Sequence, residues 1–263
     1  MQDFYKAGRY FFAVSIIAFG IIQFASGDFM SAFLPIKISS HFRIFLLYFF
    51  SSLFVFAGVM MLFNRTARGG ALTAVLFAVF ILYPDLINLI SDPKNPGYWT
   101  VIAETVAICA GALIITGIFT HNTTARDRAL PYPKNKLVAG RILFACSLIV
   151  FAVQHFLYAD YISTLIPSWI PLPLFWAYFV GIAFLAGSIS LFIRIKTRLA
   201  SILLGFMFLF WVFFMHAERV TANLQKESEW TSLFIALTFC GIFFAIASIS
   251  PPKSTHTRTK HLK

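Results

Sequence analysis

Two histidines and several carboxyl and amide groups stand inside long apolar runs of this sequence. Gln154 and His155 close one run, and His216 closes another, followed two positions later by Glu218. Glu104 lies two helical turns inside a run with no other charge, and Asp85 follows Pro84 in the run before it, three residues ahead of Asn88. Gln23 ends the first run. Imidazole and carboxyl groups exchange protons near neutral pH and hydrogen-bond carbonyl oxygens. Polar groups inside hydrocarbon are costly, so each of these eight residues is a candidate for a cavity or ligand site. Each also has a plainer explanation. His155 can cap the polar end of its helix. Gln154 and Tyr158 are four apart and can tie one helix to another. His216, Glu218 and Arg219 can be the charged end of a span, and Glu104 can reach up to interfacial water. A metal is not expected, because residues two apart on a regular helix, such as His216 and Glu218, do not face one point. No phosphate loop, dinucleotide fingerprint or Ser/His/Asp order is present.

The elements that must carry these groups are membrane helices. The chain has 263 residues, 59% hydrophobic and 12% charged, with 33 Phe. Eight apolar runs reach the roughly 20 residues that cross a bilayer, and they lack a polar stripe of helical period. They lie near residues 10–26, 43–63, 70–90, 98–119, 138–158, 174–193, 199–216 and 230–249. The first could be a cleaved signal, but its features recur in mid-chain, so it is read as a span. A net charge of +11 would point to nucleic acid in a soluble protein. Here the charges fall in loops, where they set topology, and no nucleic-acid role is expected. Cys109, Cys146 and Cys240 all lie inside apolar runs without ligand spacing and read as packed side chains.

The halves of the chain match. Gly8-Arg9, Ser15, Asp28 and Pro35 recur as Gly140-Arg141, Ser147, Asp160 and Pro167. Trp99-Thr100 and Cys109 recur as Trp230-Thr231 and Cys240. The expected fold is therefore an all-α polytopic transmembrane bundle of eight spans, a tandem parallel repeat of a four-helix unit. Its parts are 1–120, a basic connector 121–137, a second unit 138–250, and a disordered basic tail 251–263. Of the 21 Lys and Arg, sixteen fall on the side of the termini and five on the other, which places both termini in the cytoplasm. All five Trp then lie towards the outer side. At ~1.5 Å per residue, Asp85 and His155 lie roughly 22 Å from the cytoplasmic start of their spans and His216 roughly 26 Å, while Glu104 lies roughly 9 Å from the outer end. The polar set thus converges on the outer leaflet and could line one cavity per half. Ala103, Ala107 and Gly111, like Ala177 with Gly181 and Ala183 with Gly187, form small-residue rows that allow close packing.

The order Gln154-His155-Phe156, Ile166-Pro167-Ser168-Trp169-Ile170-Pro171, Tyr178, Gly181-Ile182-Ala183, Ala186-Gly187 and Arg198-Leu199-Ala200 resembles the DoxX-like membrane protein family. The resemblance covers the second half well and the first only through the repeat. It implies two fused four-helix units of a bacterial inner membrane. Some members of that family are similar to subunits of a thiosulfate:quinone oxidoreductase. Members often carry an acid in the second span, where this chain has Phe184, with Phe54 in the first copy.

The expected function is binding of a small lipophilic molecule, a quinone by preference, in an outer-leaflet polar cavity. The chain would serve as the membrane component of a redox system, with electrons supplied by a partner protein, since it carries no haem, iron–sulfur or dinucleotide signature of its own. Two other classes compete: a small-solute or lipid transporter, favoured by the duplication and Pro84, and a structural or assembly subunit of a membrane complex. The sequence leaves the oligomeric state open.

Overall fold

The computed structural model describes residues 2–30, 40–63, 65–120 and 134–250. Most of the basic connector, the tail 251–263 and the loop holding Pro35 lie outside the described residues. Apolar runs become helices here because a backbone in hydrocarbon must pair its own polar groups. Hydroxyls inside the spans are satisfied in the same way. Ser15 donates to the Phe11 carbonyl, Ser51 to Leu47, Thr73 to Gly69, Thr116 to Ala112 and Thr238 to Phe234, each one turn back.

The helices are α1 (Gln2–Ser26), α2 (Ser40–Leu62), α3 (Thr66–Phe80), α4 (Leu86–Ser91), α5 (Pro96–Thr120), α6 (Lys134–Leu157), α7 (Ala159–Ser163), α8 (Pro173–Ile193), α9 (Thr197–Trp211), α10 (Ala217–Ala222) and α11 (Glu227–Ile249). A five-residue π-turn, Ile81–Asp85, joins α3 to α4, and a second, Val212–His216, joins α9 to α10. Among the described residues, eight helical segments are long and apolar enough to cross a membrane, with α3–α4 and α9–α10 each counting as one. Among the described residues there is no strand. The structure lengthens several spans relative to the sequence reading. The first begins at Asp3, the third runs from Thr66 to Ser91, and the seventh continues to Ala222. His216 is therefore not the end of its span, because the helix runs on through the π-turn.

Two helices form the spine. In α5 and α11, 72% and 67% of the membrane window is buried, against 28–50% elsewhere. α1 packs on α2 and α11, while α6 packs on α8 and α5. α3 packs on α5, α9 packs on α11, and the two spine helices touch. The first helix of the chain is thus held by α2 and by the last helix, with little from the fourth span.

Small residues set these approaches. A Cβ on Gly8 would fall 2.6 Å from the Ala245 backbone nitrogen, and one on Gly241 would fall 2.8 Å from the Phe12 nitrogen, so α1 and α11 cross backbone to backbone. Gly140 makes the corresponding approach to the Ala110 carbonyl oxygen, at 2.7 Å. Arg9, the other half of the Gly-Arg pair, donates to the carbonyls of Met61 (2.7 Å), Leu62 and Phe63 (3.2 Å), capping the free end of α2.

Candidate functional site

The stretch from Gln154 to Pro173 turns the chain from α6 into α8 by way of α7 and a loop. Leu172, between two prolines, turns the corner in the left-handed region (φ 56°), and Pro173 then starts α8. The Trp176 indole donates to the Pro171 carbonyl at 3.0 Å and fixes the corner from the helix side. Beneath it, bounded by α5, α6, α8, α9 with its π-turn, and α11, lies a cavity of about 1100 Å³.

Its walls are mainly aromatic and aliphatic. Phe151, Phe184, Phe208, Trp211 and Phe239 pack against one another at its base, with ring centroids 4.9–6.1 Å apart. Four of the sequence candidates line it: Glu104 from α5, Gln154 and His155 from α6, and His216 from the second π-turn. The charged end of Arg219's helix also reaches it. Glu218 borders the cavity through Trp169, whose indole N–H donates to its Oε2 at 2.8 Å.

Each polar group is held differently. His155 Nδ1 lies 2.8 Å from the Phe151 carbonyl oxygen. A carbonyl only accepts, so Nδ1 carries the hydrogen and Nε2 is left for another partner. The ring edge rests on Phe184 at 5.1 Å and 85°. Gln154 donates to the Pro96 carbonyl at 2.9 Å and shares a hydrogen bond with Thr100 Oγ1, tying α6 to the start of α5. His216 keeps Nδ1 buried without a partner. Arg219 is committed to Glu229 through two bonds of 2.8 and 3.2 Å, and Lys226 adds a third at 2.9 Å. The ion pairs among the described residues are Arg43–Asp28, Arg219–Glu229 and Lys226–Glu229, so none involves Glu104. This arrangement offers a hydrophobic molecule a carboxyl group and an imidazole nitrogen in a mainly aromatic chamber, while the Gln154 amide is spent on α5.

Gln23, Asp85 and Asn88 do not line this cavity. Gln23 is fully buried, with Oε1 accepting from Ser51 at 3.0 Å and Nε2 unpartnered. Asp85 is 1% exposed and neither carboxyl oxygen has a hydrogen-bond partner. Asn88 sits half-buried on α4. The cavity thus draws its helices from the second half plus α5 of the first, so it does not lie within one half as the sequence reading allowed.

The sequence reading takes Arg219 only as a span end, Phe184 only as the place of the family's acid and Thr100 only as a repeat match, and assigns none of them, nor the other aromatic lining residues, to a cavity wall. Phe and Trp at helical spacing look the same whether they fill a core or wall a chamber. The bond between Gln154 and Thr100, in consecutive runs, carried no sequence signal.

Comparison of the chain with family models, with curated proteins and with solved structures finds no match.

Proposed function

We propose that this chain is a DoxX-like, eight-span inner-membrane protein that binds a small lipophilic carbonyl compound, of quinone type, and serves as the membrane component of a redox system. The observation that carries the reading is the character of the cavity wall. Glu104, Gln154, His155, His216 and Arg219 line a chamber whose remaining wall is mainly apolar. Trp169, Trp176, Phe210 and Phe214 line the chamber and are also 40–58% exposed on the outside of the bundle. These shared walls lie between α8 and the end of α9, where the chamber opens sideways to lipid. A ligand that dissolves in the bilayer reaches such a site without crossing water, with its ring oxygens facing Glu104 and His155 Nε2 and its tail towards the aromatic base.

The same wall favours binding over carriage. Beyond Glu104, α5 is buried from Ala107 to Ala112, and α11 is buried from Thr238 to Ala247. The chamber is closed towards that end. The recurrence of packing partners, of the π-turns and of the Trp99–Pro93 and Trp230–Leu224 bonds (both 2.9 Å) supports the tandem duplication that goes with this reading. The excess of Lys and Arg on the side of the termini supports their cytoplasmic placement.

The test is retention of quinone. Protein purified in mild detergent should carry extractable quinone in fixed proportion. The His155→Ala/Glu104→Gln double variant should hold about tenfold less, the worth of one good hydrogen bond to a charged or buried group. Equal retention by both proteins would overturn the site.

A further inference from the structure

Quinone and quinol differ in the group they present to a protein. A quinone oxygen is a carbonyl and only accepts hydrogen bonds, whereas a quinol oxygen is a hydroxyl that also donates. The chamber wall does not treat the two alike, and the difference lies in His155.

The His155 ring is held from three sides. Its Nδ1 lies 2.8 Å from the Phe151 carbonyl oxygen, one turn back on α6. It meets the Phe184 ring of α8 nearly at right angles, with centroids 5.1 Å apart. Gly181 brings the α8 backbone so close that a Cβ there would fall 3.0 Å from the His155 Cβ. Turning the ring over would put a C–H against the Phe151 carbonyl and forfeit the hydrogen bond. The carbonyl only accepts, so Nδ1 carries the hydrogen. None of the ion pairs among the described residues includes a histidine. An imidazolium with no carboxylate bonded to it is costly in an apolar wall, so the ring is neutral. Nε2 then bears a lone pair and no hydrogen. His155 lines the chamber, and its Nε2 is left to accept from whatever occupies it.

The other site groups adapt or are already engaged. A protonated carboxyl at Glu104 donates through one oxygen and accepts through the other, while an ionised one accepts. His216 Nδ1 is buried without a partner, so no bond selects the tautomer of that ring. Gln154 is spent on Pro96 and Thr100, and Arg219 on Glu229. His155 is thus the fixed acceptor among groups that accommodate either form of a ligand.

We propose that the chamber selects the reduced form of its ligand, a quinol whose hydroxyl donates to His155 Nε2. A quinone carbonyl at the same place sets lone pair against lone pair. The quinone must then withdraw its oxygen or leave Nε2 unsatisfied in the apolar wall, and either weakens binding. This preference rests on the reading of the chamber as a quinone-type site and adds the oxidation state to it. The chamber fills when the membrane pool is reduced. Tighter binding of the quinol also raises the midpoint potential of the bound couple, by about 30 mV for each tenfold in affinity.

The experiment measures binding of duroquinol and of duroquinone, the two forms of one tail-less ring, by equilibrium dialysis. It uses full-length protein in lipid nanodiscs at neutral pH under argon, with partition into protein-free nanodiscs subtracted. Duroquinol should bind about tenfold tighter. The ratio should fall to about one in His155→Phe, which keeps an aromatic ring beside Phe184 and removes the acceptor. Nitrogen NMR of isotope-labelled histidine should show the His155 Nε2 unprotonated in the free protein. Its resonance should move towards hydrogen-bonded values with duroquinol and not with duroquinone. Equal affinity for both forms, or tighter duroquinone, would overturn the preference and leave the quinone-type reading standing. Binding of neither form would overturn both. A protonated Nε2 in the free protein, or a preference undiminished in His155→Phe, would remove His155 from the role. Where His155→Phe does not fold, the wild-type affinity ratio and the nitrogen resonance decide.

Discussion

Trp169 lines the cavity and is exposed on the outside of the bundle, and a single substitution separates its two contacts. Its ring lies edge-on to Phe214 at 6.3 Å, and its N–H is bonded to the Glu218 carboxylate. Trp169→Phe keeps the apolar cover and removes the bond, which for a charged acceptor at an exposed position is worth about 1 kcal/mol. Release of a bound quinone should become roughly fivefold faster, the equivalent of that energy, with little change in thermal stability. Unchanged release rates would show that the loop does not restrain the ligand. At the other half's corner, Arg43 donates to Asp28 Oδ1, and the Phe29 N–H donates to the same oxygen at 2.6 Å. The Arg43 bond first, then the Phe29 N–H and the Arg43 charge, hold the Asp28 carboxyl below its ordinary 3.8 against a partial burial that opposes them. A depressed folded-state value adds stability above the ordinary value and loses it as pH falls through the folded value. Asp28 is 53% exposed, so the gain is small. Melting curves of wild type and Asp28→Asn should differ slightly at neutral pH and coincide once the medium is acidic enough to protonate Asp28 in the folded state. A gap that persists there would place the effect elsewhere.

At the scale of elements, the helices were readable and their neighbours were not. Near-continuous apolar runs can only be helices in a bilayer, so eight spans followed from length alone. The ends were less legible. Ala217–Ala222 reads as a charged loop because Glu218 and Arg219 are in it, yet it continues the helix, with Glu218 turned to Trp169 and Arg219 turned to Glu229. The polar candidates were legible as a set, since hydrocarbon makes every one conspicuous. Which of them meet was not, because a sequence carries depth along a helix but not azimuth around the bundle. Asp85 and His155 share a depth and sit in different places for that reason. The Gly-Arg pairs were visible as matches, while their purpose, helix crossings with the spine, required coordinates. That purpose is testable. Gly8→Val would drive a side chain into the α11 backbone, where nothing can yield, and should lower stability by about 3 kcal/mol or prevent assembly. Gly97→Ala, whose Cβ would meet only the Asn95 side chain at 3.1 Å, is the matched control and should melt like the wild type. Equal melting of the two variants would remove the crossing from the list of structural constraints.

At the scale of the whole molecule, the division of the sequence into two units is not the division of its packing. If each unit were a closed bundle, its first helix would pack on its own fourth span. Instead α1 rests on α11 and α6 rests on α5, so each half lends its last helix to the other. The face that Gly8 and Phe12 present to Gly241 and Ala245 would be bare in an isolated first half, as would the face that Gly140 presents to Ala110 in an isolated second half. Close helix contact is the main source of association in lipid, where no hydrophobic gradient helps. Two such faces, both lined by small residues, make the halves mutually dependent. Residues 1–120 and 134–263, expressed as separate chains in one cell, should therefore find each other and copurify, while each expressed alone should be degraded or aggregate. The cavity follows the same logic, because Glu104 reaches it only when α5 lies against α6. Quinone retention by the reassembled pair should match that of the intact chain, and neither half alone should retain any. A stable, monomeric half that binds quinone by itself would show that the exchange of spine helices is not what builds the chamber.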